Sequence, residues 1–207
     1  MSDAAPPRRS RRAAQAELTR QEILRAARTR FASEGYAATS LKDIAADAGV
    51  SIQTLYDSVG SKADLVRRLN DLMDVEGDVA GIAAGIGTES DPRALAAVPA
   101  RVTARLLDRC GDIMRACLAG GLADPGLLPL LEEGGRRHRA GAAAIAGRLA
   151  ALGALRGSVT VEQAATTIAA LADFRLAIVL IDDHGMSVAQ AERWMADQTI
   201  RALLGDP

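Results

Sequence analysis

Aromatic side chains are nearly missing: one Trp, two Tyr and two Phe occur in 207 residues. Any core must therefore be built from Ala, Leu, Ile and Val, and an aromatic cage for a cationic ligand has little to draw on. Cysteine is almost as scarce. Cys110 and Cys117 sit seven apart, on one face of a helix, but without metal-ligand spacing or a second Cys/His cluster, so they read as buried packing. The two histidines, His138 and His184, have no Ser or Cys partner at a telling spacing, and no Glu-x-x-His pair exists to hold two metals in a helical bundle. Glu132-Glu133 and Asp182-Asp183 are sequence neighbours and point to different faces of a helix. These gaps predict that the chain is no enzyme and uses no metal or cofactor. No apolar run reads as reaching the roughly 18 residues that span a bilayer, and the opening MSDAAPPRRSRR lacks the apolar segment of a secretory signal. The expectation is no membrane association and a reducing cytoplasm.

Alternating strand patterns are missing too. Apolar residues make up 49% of the chain and Ala, the strongest helix former, dominates them, which predicts an all-α fold. Net charge is −1 overall but uneven. Residues 1–70 hold twelve basic and eight acidic side chains, a net of +4, and the remainder holds 13 basic and 18 acidic, a net of −5. A basic N-terminal module on an acidic body suits a nucleic-acid reader with a separate second task.

The densest signals lie between Thr39 and Lys62, TSLKDIAADAGVSIQTLYDSVGSK. Ser40 with Asp43 has capping-box spacing. Ile44, Ala45 and Ala48 give a short helix an apolar face, and Gly49 supplies its left-handed stop. Val50 faces the core at the turn, Ser51 caps a helix from Ile52 to about Val59, and Gly60 ends it. Ser61 and Asp64 then repeat the capping box. This is a helix-turn-helix, whose dominant use is to place its second helix in the DNA major groove. In that groove Gln53 can grip adenine with both ends of its amide, while Ile52 and Thr54 can touch a thymine methyl.

The stretch from Ala37 to Lys62 resembles the DNA-binding region of the TetR family of bacterial transcriptional regulators. Gly49-Val50-Ser51, Thr54-Leu55-Tyr56 and Ser61-Lys62 carry the resemblance, and ILRAARTRFASEGY before them is similar to the family's first helix. Two positions depart from the family pattern: Val59 stands where an aromatic is commoner, and Asp57 puts a carboxylate where a neutral or basic group is usual. The resemblance implies that Ser40, Lys42, Tyr56 and Lys62 hold phosphates, with Ser51 beside them at the start of the reading helix. It also implies a two-fold dimer on a palindromic operator and release by a small molecule that enters the helical body and moves helix four. On this reading residues 1–14 form a disordered basic arm and 15–67 the helix-turn-helix domain. Residues 68–207 form the helical effector-binding and dimerisation domain.

Outside the motif, Thr19 with Glu22 predicts the start of helix one, and Ile23, Ala27 and Phe31 form its core stripe. Helix four is expected from Ser61 to about Val79, and AGIAAGIGTES after it reads as a loop. Asp91-Pro92 and Asp124-Pro125 signal helix starts. Gly111 is expected to divide the first of those helices, and Gly134, Gly135 and Gly141 to kink or break the second. Thr160 with Gln163 opens a helix expected to run to Gly185, and Ser187 with Gln190 opens the last. Ile168, Leu171, Ile178 and Trp194 on these two helices are the candidate dimer contacts, because a helix apolar all round must be buried all round. Met114, Cys117, Leu118 and Phe174, with Arg175 and Asp173 as polar anchors, are the candidate effector lining. The rival reading keeps the helical dimer as a ligand-binding or protein-interaction module without sequence-specific DNA binding.

Overall fold

A computed structural model describes residues 8–76, 78–123 and 125–204. Among them are ten α-helices, one 3-10 turn and no strand. The helices are α1 (Arg8–Glu34), α2 (Leu41–Asp47), α3 (Ile52–Val59), α4 (Lys62–Glu76), α5 (Val79–Ile86), α6 (Pro92–Ala123), α7 (Leu128–Ala151), α8 (Val161–Leu171), α9 (Phe174–Asp182) and α10 (Val188–Leu203). The chain divides into two compact units, one of residues 1–71 with 112–128, the other of 72–111 with 129–207.

In the first unit α1 packs on both α2 and α3, and these pack on each other. Helices of seven and eight residues are too short to persist alone, so their apolar faces must hold them. Ile23, Ala27 and Phe31 of α1, Ile44 and Ala45 of α2, and Leu55 and Val59 of α3 are all buried. The second unit has its own core, in which Leu95, Ala96 and Val98 meet Ala142, Ile145, Ala146 and Leu149, with Ala164, Ile168, Leu203 and Leu204. Thr103, buried there, donates to the Ala172 carbonyl at 2.7 Å.

Several boundaries differ from expectation. Helix α1 begins at Arg8, not Thr19: Arg, Ala, Gln, Glu and Leu before Thr19 are all good helix formers, so Thr19 is interior and caps nothing. The part of the expected disordered arm from Arg8 to Ala14 is helical for the same reason, while residues 1–7 lie outside the described residues. The expected loop after α4 contains α5, where alanine outweighs the interspersed glycines. Asp124 lies outside the described residues, and the start signal there opens a 3-10 turn, Pro125–Leu127, before α7. Helix α7 runs without a break through Gly134, Gly135 and Gly141. Glycine costs about 1 kcal/mol per position, and the buried Ala142, Ile145, Ala146 and Leu149 offset it. The division expected at Gly111 is present as a kink in α6, where the neighbouring Cys110 leaves helical geometry at φ −135°, ψ 19°.

By length and composition Val161–Asp182 could cross a membrane, against the expectation that no run was long enough. It is two helices, however. The backbone breaks at Ala172, and Asp173 caps α9 by accepting from the Arg175 backbone N–H at 2.8 Å. Eleven residues of α8 rise only about 16 Å, half a bilayer core.

Candidate nucleic-acid interface

The helix-turn-helix is fixed from both ends by hydrogen bonds that its sequence prescribes. Thr39, buried, donates its hydroxyl to the Gly35 carbonyl at 2.9 Å. Ser40 Oγ accepts the Asp43 N–H at 3.1 Å and caps α2. At the far end of α2, Gly49 takes φ +66°, and the N–H groups of Gly49 and Val50 return to the carbonyls of Ala46 and Ala45 at 3.1 and 3.0 Å. Arg30 of α1 grips Asp47 with two hydrogen bonds, 2.6 and 3.0 Å, and Glu34 with a third at 2.7 Å. The Arg30 bond holds the Asp47 carboxyl below its ordinary range, and the Asp47 bond raises Arg30 in turn.

Ser51 starts α3: its Oγ accepts the Thr54 N–H at 3.0 Å and lies 2.8 Å from the Thr54 hydroxyl. Leu55 and Val59 turn inward, so the other face must turn out. Ile52 is 41% exposed, Tyr56 51%, and Ser51, Gln53 and Asp57 are exposed beside them. Behind α3, Ser61 and Asp64 cap α4 reciprocally, Ser61 N–H to Asp64 Oδ2 at 2.9 Å and Asp64 N–H to Ser61 Oγ at 3.1 Å. Bonds from the Ser61 hydroxyl and backbone hold the Asp64 carboxyl below its ordinary range. Arg68 Nε lies 3.4 Å from the Val59 carbonyl, where the end of α3 favours a cation.

Of the eight residues proposed from sequence, Ser40, Lys42, Ser51, Ile52, Gln53 and Tyr56 are exposed on α2, α3 and their caps, while Thr54 and Lys62 are half-buried. Two contacts were not foreseen. Gln53 Nε2 donates to Asp57 Oδ1 at 2.8 Å, a pairing legible in the i, i+4 spacing. Lys62 Nζ sits 4.2 Å from the centroid of the buried Tyr36 ring and 3.5 Å from the Ala37 carbonyl, so its side chain lies against the module rather than reaching freely outward. That contact joins residues 26 apart and had no local signal.

Residues 23–69, which contain this motif, match the family model of bacterial regulatory proteins, tetR family. The chain carries a TetR-family N-terminal domain. Solved structures share this fold over 91–93% of the chain. The SmeT–triclosan complex is 21% identical, with a TM-score of 0.72, over 91% of this chain and 93% of that one. NalD, the secondary repressor of the MexAB-OprM multidrug efflux pump in Pseudomonas aeruginosa, is 22% identical, with a TM-score of 0.68, over 93% and 99%. A Saccharomonospora viridis protein in complex with choline, described as a transcriptional regulator, is 21% identical, with a TM-score of 0.73, over 92% and 100%. No curated protein matches the chain.

The remaining candidates fall in different units of this TetR-like chain. Met114 and Cys117 are buried and Leu118 half-buried in the first unit; Phe174 is half-buried and Arg175 exposed in the second. Burial pushes the Cys117 thiol up to about 11. Asp173 and Arg175 are paired by bonds of 2.9 and 2.6 Å. Burial opposes ionisation of Asp173, yet the Arg175 bonds hold its carboxyl below the ordinary range. A cleft of about 410 Å³ in the first unit is lined by Phe31, Ala32, Gly35, Asp112, Arg115, Ala116 and Ala119, none of them a proposed effector contact. Arg28 closes on Asp112 nearby with bonds of 2.6 and 3.0 Å. Among the candidate dimer residues, Ile168 has no exposed surface and belongs to the protomer's own core, so it has nothing to offer a partner. Leu171, Ile178 and Trp194 are half-buried, and Val161 and Val179 on the same helices are 44% and 41% exposed.

Proposed function

We propose that the chain is a ligand-responsive transcriptional repressor that binds a palindromic operator as a homodimer in the cytoplasm and is released by a small molecule. One observation carries this reading: α3 is clamped by its buried Leu55 and Val59 while Ile52, Gln53 and Tyr56 stand exposed along its outer face. A monomeric helix-turn-helix makes too few contacts to select among genomic sites, whereas two copies on a two-fold axis read half-sites about 34–36 Å apart or a multiple of that. In each copy Gln53, Ile52 and Thr54 face base edges, and Ser40, Lys42, Ser51, Tyr56 and Lys62 hold the backbone, so position and sequence are read by different groups.

The C-terminal helices supply the second task. Leu171, Ile178 and Trp194 together with the exposed Val161 and Val179 provide apolar surface for a second copy. In this reading Met114, Cys117 and Leu118 are effector contacts of the first unit, and Phe174 and Arg175 those of the second. That SmeT was solved with triclosan and the S. viridis protein with choline supports an effector of small organic type. For release, the effector must favour the conformation that does not fit DNA by about 1–3 kcal/mol. Helix α4, which leaves the first unit near Asp71 and continues into the second, is the element that would carry the change. No catalysis and no cofactor enter this scheme.

A mobility-shift titration of the full chain against DNA flanking its own gene tests the reading. A sequence-selective, salt-sensitive shift is expected. Asp57 favours the rival, a helical dimer without DNA, because it sets a carboxylate on the exposed face of α3; absence of any selective shift would decide for that module.

A further inference from the structure

The carboxylate of Asp57 lies one helical turn beyond Gln53 on the outward face of α3. Among the described residues its hydrogen-bond partner is the Gln53 amide nitrogen, at 2.8 Å. An ionised carboxylate only accepts, so it can engage only the NH2 end of that amide. A glutamine on an open helix face can otherwise turn its amide either way and offer a donor or an acceptor to a base. With Asp57 beside it, the second orientation would set carbonyl oxygen against carboxylate oxygen, and the amide is held with Oε1 outward.

Resting on the DNA-binding reading above, we infer that Asp57 is a specificity-determining residue: the Gln53–Asp57 pair selects a base with an amino donor in the major groove, adenine or cytosine, and rejects guanine. Adenine offers N6–H as donor and N7 as acceptor. Gln53 Oε1 takes the first, and the remaining Nε2 hydrogen reaches the second, so that both amide hydrogens are used, one on Asp57 and one on N7. Cytosine offers N4–H, which the free Asp57 Oδ2 can accept. Guanine keeps the N7 acceptor that the second Nε2 hydrogen can reach, but it sets O6 where adenine has N6–H, so that acceptor meets acceptor at Gln53 Oε1. The same carboxylate repels phosphates, so it lowers affinity for all DNA while sharpening the choice of base.

The test is selection of bound duplexes from a random pool by the full-length chain, followed by anisotropy titration of the selected duplex and its single-base variants. Gln53→Ala identifies the position the pair reads, as the one whose preference it relaxes. Asp57→Asn replaces an exposed side chain with one of equal size, and an unchanged melting temperature confirms the fold. The expected selected base is adenine or cytosine, and changing it to guanine weakens the parent by about 5–150-fold. In Asp57→Asn that penalty shrinks several-fold, penalties at other positions stay put, and overall affinity rises. A guanine or thymine preference at the Gln53-dependent position, or a guanine penalty unmoved by Asp57→Asn, overturns the inference and leaves DNA binding standing. Failure to enrich any sequence overturns both.

Discussion

Replacing Gly60 by alanine should damage the module out of proportion to one methyl group. Gly60 ends α3 at φ +89°, ψ −137°, close to a region that residues with a Cβ essentially do not enter; forcing one there costs of order 1–3 kcal/mol. A second effect adds to it. The new Cβ would lie 2.7 Å from Asp64 Oδ2, the oxygen that accepts from the Ser61 backbone at 2.9 Å and from its hydroxyl at 2.7 Å. Moving that carboxylate undoes half of the capping box, for about 1 kcal/mol more. Urea unfolding at constant m should therefore report a loss of about 2–4 kcal/mol for Gly60→Ala. In an Asp64→Ala background the same substitution should cost only the backbone part, leaving a coupling of about 1 kcal/mol. A loss below about 0.5 kcal/mol would refute the whole argument. An equal loss in both backgrounds would refute its second half.

Three other outcomes are expected. Acid should weaken the fold through Asp47, Asp64 and Asp173, whose native pKa values lie below the ordinary 3.8. Their stabilisation is complete above that unfolded value and is lost as pH falls through the lower native values, so unfolding followed by circular dichroism should show it below about pH 4, and less of it in Asp64→Asn. Cys117, buried with its thiol raised to about 11, should resist alkylation in the native protein at pH 7 and react once urea opens the fold, as mass spectrometry would record. Lys62→Ala should weaken all DNA sequences alike and lower the salt slope by about 1; an unchanged slope would assign Lys62 to Tyr36 and the module's interior instead.

The parts of this molecule that were legible in its sequence are those fixed by neighbours in the chain. The bounds of α3, the reciprocal caps Ser61–Asp64, Thr160–Gln163 and Ser187–Gln190, and the left-handed Gly49 and Gly60 each depend on residues three or four apart. What escaped depends on context. A capping pair at Thr19 and Glu22 looks the same whether a helix starts there or passes through, and only the helix-forming run from Arg8 decides it. Gly134, Gly135 and Gly141 weaken α7 locally, yet its packed Ile145 and Leu149 hold it. The break at Ala172–Asp173 divides a segment whose apolar residues alone suggest one long helix. At the candidate site the exposed face of α3 could be read from Leu55 and Val59 pointing the other way. The stacking of Lys62 on Tyr36 needed the fold, because nothing in sequence brings those two positions together.

The most direct measurement is the affinity and stoichiometry of the full chain on a duplex carrying its selected sequence, taken from 50 to 200 mM salt. Two subunits should bind each duplex, with affinity falling by about 10³–10⁵ across that range if the dimer makes six to ten phosphate contacts. Binding that ignores both sequence and salt, or a single subunit saturating the site, would contradict paired reading helices.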